Sequence, residues 1–135
     1  MQRAEMNDTD PSRSQTSYLF VYGTLKRGFC RADWMCGQRF VGEARTAPMY
    51  RMFDCGSYPG LVESPGDGVS IEGEVWEVDG ECLARLDEVE GVELNLYARQ
   101  QIEMQTPFDQ DAVETYIFQR SVVGMVDCGV AWTPA

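Results

Sequence analysis

Short apolar runs and alternating apolar and polar positions follow one another along most of the chain, a pattern typical of β-strands. The predicted strands are 18–22, 39–46, 48–53, 69–78, 96–105 and 112–120, followed by a final extended segment that ends near Trp132. Within 69–78 the alternation slips near Val75 and Trp76, which predicts a bulge or a bend. Turn sequences with proline and glycine, SYPG at 57–60 and PGDG at 65–68, interrupt the apolar pattern between strands.

One helix is well marked, over 80–90. Asp79 is a typical N-cap, and Gly91 is typical of the position just beyond a helix end. A second, shorter helical segment or turn is expected over 29–36, before Gly37. Many short, mostly antiparallel strands with one clear helix and one short helix predict an α+β fold.

The size and composition of the chain are those of one globular domain. Its 135 residues, 44% of them hydrophobic, suffice for a single hydrophobic core. We place this domain at 17–135, after a flexible polar tail at 1–16. The sequence shows no signal peptide and no apolar run long enough to span a bilayer. Five cysteines without CxxC spacing favour a reducing compartment, so we expect a soluble, cytoplasmic protein whose cysteines fill core positions.

The charge of the chain and its lack of histidine narrow the possible functions. The formal net charge is −11, with four Lys/Arg against seventeen Asp/Glu in 51–135. Nucleic acid, which requires a basic footprint, is not an expected partner, and the one cationic cluster, Lys26, Arg27 and Arg31, suits a small anion. Because the chain contains no histidine, Ser-His-Asp and Cys-His catalysis and a His-ligated zinc are excluded. Proton transfer in an enzyme must then use carboxylate, Lys, Tyr or Cys.

The stretch LFVYGTLKRG at 19–28 is the first candidate binding element. A buried strand runs into a glycine turn, where backbone N–H groups become available to a ligand. Gly23 and Gly28 do not have the spacing of a P-loop or of a dinucleotide-binding fingerprint. The turn can still bind a carboxylate or a carbonyl oxygen through the amides of Gly23, Thr24 and Leu25 and through the Thr24 hydroxyl. The alternative is a tight turn that only links a strand to a helix.

Glu90 is the candidate acid or base. At 100° per residue, with Leu83 at 0°, Leu86 falls at about 300° and Glu90 at about 340°, on the apolar face of the predicted helix. Burial and the negative end of the helix dipole both raise the pKa of a carboxyl group, which suits a general base near neutral pH. The alternatives are a helix that frays before Gly91, leaving Glu90 in solvent, and an ion pair between Glu90 and Arg99.

Weaker candidates lie on a strand face and in a turn. Tyr97 and Arg99 share one strand face and can orient a ligand, although this alternation is also typical of a half-exposed sheet. Tyr58 and Pro59 can line the mouth of a pocket or simply form a turn.

Several of these motifs occur together in one protein family. The motifs are YGTLKRG at 22–28, YPG at 58–60, GEVWEVD at 73–79, LDEVEG at 86–91 and LYAR at 96–99. Through them, most of residues 18–105 resemble the γ-glutamylcyclotransferase-like proteins, particularly the γ-glutamylamine cyclotransferase and AIG2-like branch. The chain departs from the family after Gly28, where Phe29, Cys30 and Arg31 stand in the region in which members often carry Asn or His.

The resemblance implies a fold, an activity and a site. The implied fold is a small, mostly antiparallel β-barrel with flanking short helices. The implied activity is the release of 5-oxoproline from a γ-glutamyl amide or amine, a small-molecule reaction that needs no metal or cofactor. The family's substrate loop corresponds to Tyr22, Gly23, Thr24 and Leu25, and its proton acceptor corresponds to Glu90. We add Tyr97 to the substrate-binding candidates.

A second function is compatible with the same residues. A non-catalytic protein of this fold could bind a small carboxylate in the pocket without turning it over. This alternative is favoured if Glu90 is solvent-exposed or paired away from the loop.

Overall fold

The protein, described here as a computed structural model over residues 15–133, folds around one seven-stranded sheet. The predicted tail at 1–16 lies outside the described residues except for its last two. In chain order the strands are β1 Thr16–Val21, β2 Arg39–Arg45, β3 Tyr50–Asp54, β4 Pro59–Glu63, β5 Glu72–Asp79, β6 Tyr97–Ile102 and β7 Val113–Phe118. The helical elements are the 3-10 turn Ala32–Met35, the helix α1 Gly80–Val89 and the 3-10 turn Val92–Leu94. Over residues 15–133, no helix combines the length and the apolar character that crossing a membrane requires.

The sheet has the strand order β2-β5-β1-β7-β4-β3, with β6 added to β7. β7 runs parallel to β1 and to β4, and the remaining pairs are antiparallel. This architecture confirms the predicted α+β class with few helices. The sheet is not closed into a barrel, so the predicted barrel is not supported. β7 pairs with three strands, so the sheet branches there, and the ends of β2 and β6 meet only through an isolated bridge between Thr46 and Met104.

The branch point at β7 opens a fork between β1 and β4. β6 pairs with β7 along the whole length of β7. β1 pairs only with the first two residues of β7, and β4 pairs with β7 only at Ile117. The Tyr22 hydroxyl fills the gap by donating to the Tyr116 carbonyl (2.6 Å) and accepting from the Leu61 amide (3.2 Å). Side-chain hydrogen bonds thus replace ladder bonds at the point where β1 and β4 separate.

Strand β1 is buried on both faces. Phe20 belongs to one core cluster, and Leu19 and Val21 belong to a second cluster that contains the buried face of α1. The loop after β1 therefore starts from the centre of the molecule.

The helix α1 begins and ends where the sequence predicts. The Asp79 carboxylate accepts a hydrogen bond from the Cys82 amide (2.8 Å), which confirms the N-cap. The last helical residue is Val89, Glu90 is the C-cap, and Gly91 follows with a left-handed φ of 67°. This conformation favours glycine and ends the helix, so Glu90 is the C-cap residue of α1.

Two other predicted features differ in detail. The irregularity near Val75 and Trp76 exists, but the extra residue, Val41, lies in the partner strand β2. The predicted final extended segment forms no strand of its own; it makes an isolated bridge between Phe53 and Asp127, and Trp132 is buried in the core. The alternation within one strand could not show which of the two paired strands carries the extra residue, because the pairing joins residues far apart in sequence.

Candidate active site

A pocket lies at the fork between β1 and β4. Its cavity is small, with a volume of about 30 Å³ for the centres of water-sized molecules, and the free space rises to about 370 Å³ only when the open mouth and the solvent in it are counted. It is lined by Phe20, Val21, Tyr22, Gly23, Thr24, Leu25, Arg31, Tyr58, Pro59, Glu90, Tyr97 and Tyr116. The pocket brings together Glu90, Tyr97 and the loop at 22–25, whereas Arg99, Lys26 and Arg27 do not line it.

The loop after β1 presents donors that the protein does not use. The N–H groups of Gly23, Thr24 and Leu25 donate to no acceptor within residues 15–133, and the buried Thr24 hydroxyl has no hydrogen-bond partner there either. The loop itself is held firmly, because its own carbonyls accept hydrogen bonds: Gly23 from the Lys26 amide (3.1 Å) and Thr24 from the Arg31 amide (2.8 Å). Unpaired donors in a fixed, buried turn are the arrangement that binds an oxyanion or a carboxylate.

Gly23 is required by the close approach of Pro59. A Cβ at position 23 would lie 2.6 Å from Cγ and 2.8 Å from Cδ of Pro59, distances that no packed side chain tolerates. Pro59 is fixed in turn by Tyr97, whose hydroxyl donates to the Pro59 carbonyl at 2.5 Å. Tyr58 and Pro59, where β4 begins, are therefore part of the pocket wall.

The two tyrosines predicted to bind substrate line the pocket, but their hydroxyl groups are occupied. Tyr22 bridges β4 and β7, and Tyr97 holds Pro59. Burial raises the pKa of both phenols well above the ordinary value, so both stay protonated. They supply shape and an apolar wall to the pocket.

Glu90 is buried in this pocket with 9% of its surface exposed. Its amide donates to the Leu86 carbonyl (2.8 Å), which continues the helical geometry to this residue. Within the described part of the chain its carboxylate accepts no hydrogen bond, and its ion-pair partner is Arg31, with Nη1 at 3.8 Å from Oε2. Burial raises the pKa of Glu90 to about 7, and the positive charge of Arg31 opposes this rise. The helix does not fray to expose Glu90.

Arg99 lies outside the pocket and has other partners. Its guanidinium donates to both carboxylate oxygens of Asp87 (2.9 and 3.1 Å) and to Glu114 (2.7 Å). The ion pair between Glu90 and Arg99 that the sequence allowed is therefore absent. The Tyr116 hydroxyl also donates to Asp87 (2.7 Å), so this network ties α1 to β6 and β7 and fixes the helix end that carries Glu90.

The basic pair of the KRG motif also lies outside the pocket lining. The Lys26 ammonium donates to the Trp132 carbonyl (3.2 Å) and lies over the Phe29 ring. Arg27 pairs with Glu74 (3.1 Å) and stacks on the Phe40 ring. Both residues hold the turn in place.

Arg31 is the cation of the pocket, although no sequence motif marks it as a site residue. It stands beyond the YGTLKRG string, directly before the 3-10 turn Ala32–Met35, where no periodicity indicates its direction. Its position in the cationic cluster was the one available signal.

Comparisons with known proteins identify the family of this chain. Residues 19–129 match the family described as "Gamma-glutamyl cyclotransferase, AIG2-like". The chain belongs to this family.

Among relatives, the "Gamma-glutamylcyclotransferase family protein YtfP" of Escherichia coli K12 is 37% identical over 109 residues, which cover 79% of this chain and 87% of the relative. The prediction of a γ-glutamylcyclotransferase-like enzyme agrees with this membership.

Solved structures share the fold. The AIG2-like protein of Mus musculus superposes with a TM-score of 0.69 at 24% identity, covering 89% of this chain and 97% of the mouse protein. The structure of c4763, titled a uropathogenic E. coli-specific protein, superposes with a TM-score of 0.76 at 23% identity, covering 87% of this chain and 93% of that one. At these identities the likeness establishes the α+β fold of the AIG2-like family and nothing about substrate.

Proposed function

We propose that this protein releases 5-oxoproline from a γ-glutamyl amide or amine, with Glu90 as the acid and base and the loop at 22–25 as the oxyanion site. The observation that carries the proposal is one pocket that combines a buried carboxylate with unpaired, buried N–H groups. The carboxyl pKa of about 7 makes Glu90 an effective base at neutral pH.

The reaction needs no nucleophile from the enzyme, because the substrate supplies its own. Glu90 removes a proton from the α-ammonium group, whose ordinary pKa is about 8. The amine nitrogen then bonds to the δ-carbonyl carbon and forms a tetrahedral oxyanion, and the bond from that carbon to the leaving nitrogen breaks. Of the three ammonium protons, one stays on the lactam nitrogen. Glu90 transfers the other two, one after the other, to the leaving nitrogen, which departs as an ammonium group. No water is consumed.

The loop amides would stabilise the charge that develops on the δ-carbonyl oxygen. Removing one such donor in other enzymes costs about 100- to 1000-fold in rate, so several donors in a buried loop are a large contribution. Holding the amine against its own carbonyl could supply up to about 7–11 kcal/mol of the barrier. The rings of Tyr22 and Tyr97 form apolar walls of this pocket and would limit the access of water to the reacting atoms.

The test measures 5-oxoproline release from a panel of γ-glutamyl amines, γ-glutamyl dipeptides and glutathione. We expect at least one substrate to be turned over, and we expect Glu90→Gln to lower kcat by about 100-fold or more. Glu88→Gln is the matched control, because Glu88 lies on the same helix and is exposed. The control should keep its activity.

Two results would refute the proposal. One is the absence of turnover with every member of the panel, and the other is undiminished turnover in Glu90→Gln. If a carboxylate binds while no substrate turns over, the protein is the non-catalytic binding protein of this fold.

A further inference from the structure

Arg31 places a positive charge beside the buried carboxylate of the pocket. Its Nη1 lies 3.8 Å from Oε2 of Glu90, and its side chain is 40% exposed. Its amide donates to the Thr24 carbonyl (2.8 Å), so the residue is fixed to the loop that carries the unpaired donors. Glu90 is its one ion-pair partner within residues 15–133. A pair at 3.8 Å that makes no hydrogen bond leaves the guanidinium donors open to a ligand.

The pair of charges matches the head of an α-amino acid. The ammonium and carboxylate groups of such a head are attached to one carbon, so they lie within a few ångströms of each other. An amine that faces the Glu90 carboxylate brings its carboxylate next to Arg31. Arginine suits this contact because its planar fork can bind both oxygens of a carboxylate.

We propose that Arg31 binds the α-carboxylate of the γ-glutamyl group and makes a free α-carboxylate a requirement for productive binding. The inference rests on the proposed function, because it places the α-amine at Glu90. It assigns the loop amides at 23–25 to the δ-carbonyl oxygen, since the α-carboxylate already has its partner. The substrate class is then a γ-glutamyl amide whose α-amine and α-carboxylate are both free.

Neither of the other cations of the cluster can take this role without rearrangement. Lys26 donates to the Trp132 carbonyl, and Arg27 is held by Glu74 and by the Phe40 ring. Neither residue lines the pocket.

The test compares two small ligands that differ only in the carboxylate. 5-Oxoproline carries it on the lactam ring, and 2-pyrrolidinone is the same ring without it. Affinities for both are measured by isothermal titration calorimetry with the full chain and with Arg31→Gln, Arg31→Lys and Arg39→Gln. The last variant is the matched control, because Arg39 is an exposed arginine that also pairs with a glutamate, Glu77 at 2.8 Å, outside the pocket.

We expect the unchanged protein and Arg39→Gln to prefer 5-oxoproline by about 10- to 100-fold, the value of a charge-assisted contact. Arg31→Gln should lose this preference and keep its weak affinity for 2-pyrrolidinone. Arg31→Lys should retain part of the preference, because it keeps the charge without the fork. A preference that survives in Arg31→Gln, or that is lost equally in Arg39→Gln, would overturn the inference, as would failure of the unchanged protein to bind 5-oxoproline.

Turnover in the substrate panel is measured separately, so that the two proposals can fail independently. A protein that prefers 5-oxoproline through Arg31 but turns over no γ-glutamyl amide would refute the proposed function and support the role of Arg31. If the protein turns over a γ-glutamyl substrate while Arg31→Gln still prefers 5-oxoproline over 2-pyrrolidinone, the proposed function is supported and the role of Arg31 is refuted. In an active enzyme, converting the α-carboxylate of the substrate to an amide should lower kcat/KM in the unchanged protein and have little further effect in Arg31→Gln.

Discussion

Replacing Glu90 by glutamine should stabilise the protein above neutral pH while it removes activity. The pKa of Glu90 rises from 4.5 to about 7 because the folded protein buries the carboxyl group. The folded state therefore holds this proton more tightly than the unfolded state does. At pH values above 7 the charged carboxylate is solvated in the unfolded chain and buried in the folded one, which opposes folding.

The size of the effect follows from the two pKa values. Each pKa unit corresponds to about 1.4 kcal/mol, so ionising Glu90 lowers the free energy of unfolding by about 3 kcal/mol. The stabilising contribution of the protonated group is fully present below the unfolded pKa of 4.5 and is lost as the pH rises through about 7. A glutamine at position 90 cannot ionise, so the free energy of unfolding of Glu90→Gln should not show this loss as the pH rises.

Urea unfolding at a series of pH values from about 5 to 8.5, followed by tryptophan fluorescence, measures this difference. The free energy of unfolding of Glu90→Gln relative to the unchanged protein should rise with pH by a few kcal/mol. Glu88→Gln, at an exposed position of the same helix, serves as the control and should follow the unchanged protein. Parallel pH dependences for Glu90→Gln and the unchanged protein would show that the Glu90 carboxyl is not the buried, perturbed group inferred here.

Three further predictions concern the pocket wall and the pH profile. Gly23→Ala should destabilise the protein by about 1–3 kcal/mol and reduce turnover, because the new Cβ meets the rigid Pro59 ring; urea unfolding and 5-oxoproline release measure the two effects. Tyr22→Phe should cost about 1–3 kcal/mol in the same unfolding assay, because the Tyr116 carbonyl and an amide of β4 lose their partner; an unchanged midpoint would argue against the bridge. The kcat/KM should fall as the pH drops below about 7, where Glu90 takes up its proton, and a profile that stays flat down to pH 5 would contradict its role as base.

The parts of the structure that local sequence signals determine were predicted well. The N-cap at Asp79 and the left-handed Gly91 bound α1 within one residue, and helical periodicity placed Glu90 on the buried face. These signals act over a few residues and need no knowledge of the rest of the chain. The candidate base could therefore be found before the structure.

The branching of the sheet could not be predicted in the same way. Nothing within Val113–Phe118 shows that this strand pairs with three others, because strand pairing joins residues far apart in sequence. The barrel implied by the family resemblance is not supported by this branched sheet. The pocket lies at the fork that this branching creates, so its shape could not be predicted, although the family resemblance had named its loop and Glu90.

The cations of the site show where motif reasoning misleads. Lys26 and Arg27 attract attention because they stand inside the YGTLKRG string, yet their side chains hold the turn from outside the pocket. Arg31 directly precedes a short 3-10 turn, where no periodicity indicates which way a side chain points. Only the fold brings its guanidinium to 3.8 Å from Glu90.

A crystal structure of Glu90→Gln with an intact γ-glutamyl amide tests the central claim most directly, because it shows whether one substrate reaches both halves of the pocket. The account predicts the δ-carbonyl oxygen within hydrogen-bond distance of the amides of Gly23, Thr24 and Leu25, and the α-amine next to the side chain of residue 90. A substrate bound with its amine away from residue 90, or with its δ-carbonyl oxygen away from the loop, would contradict the account.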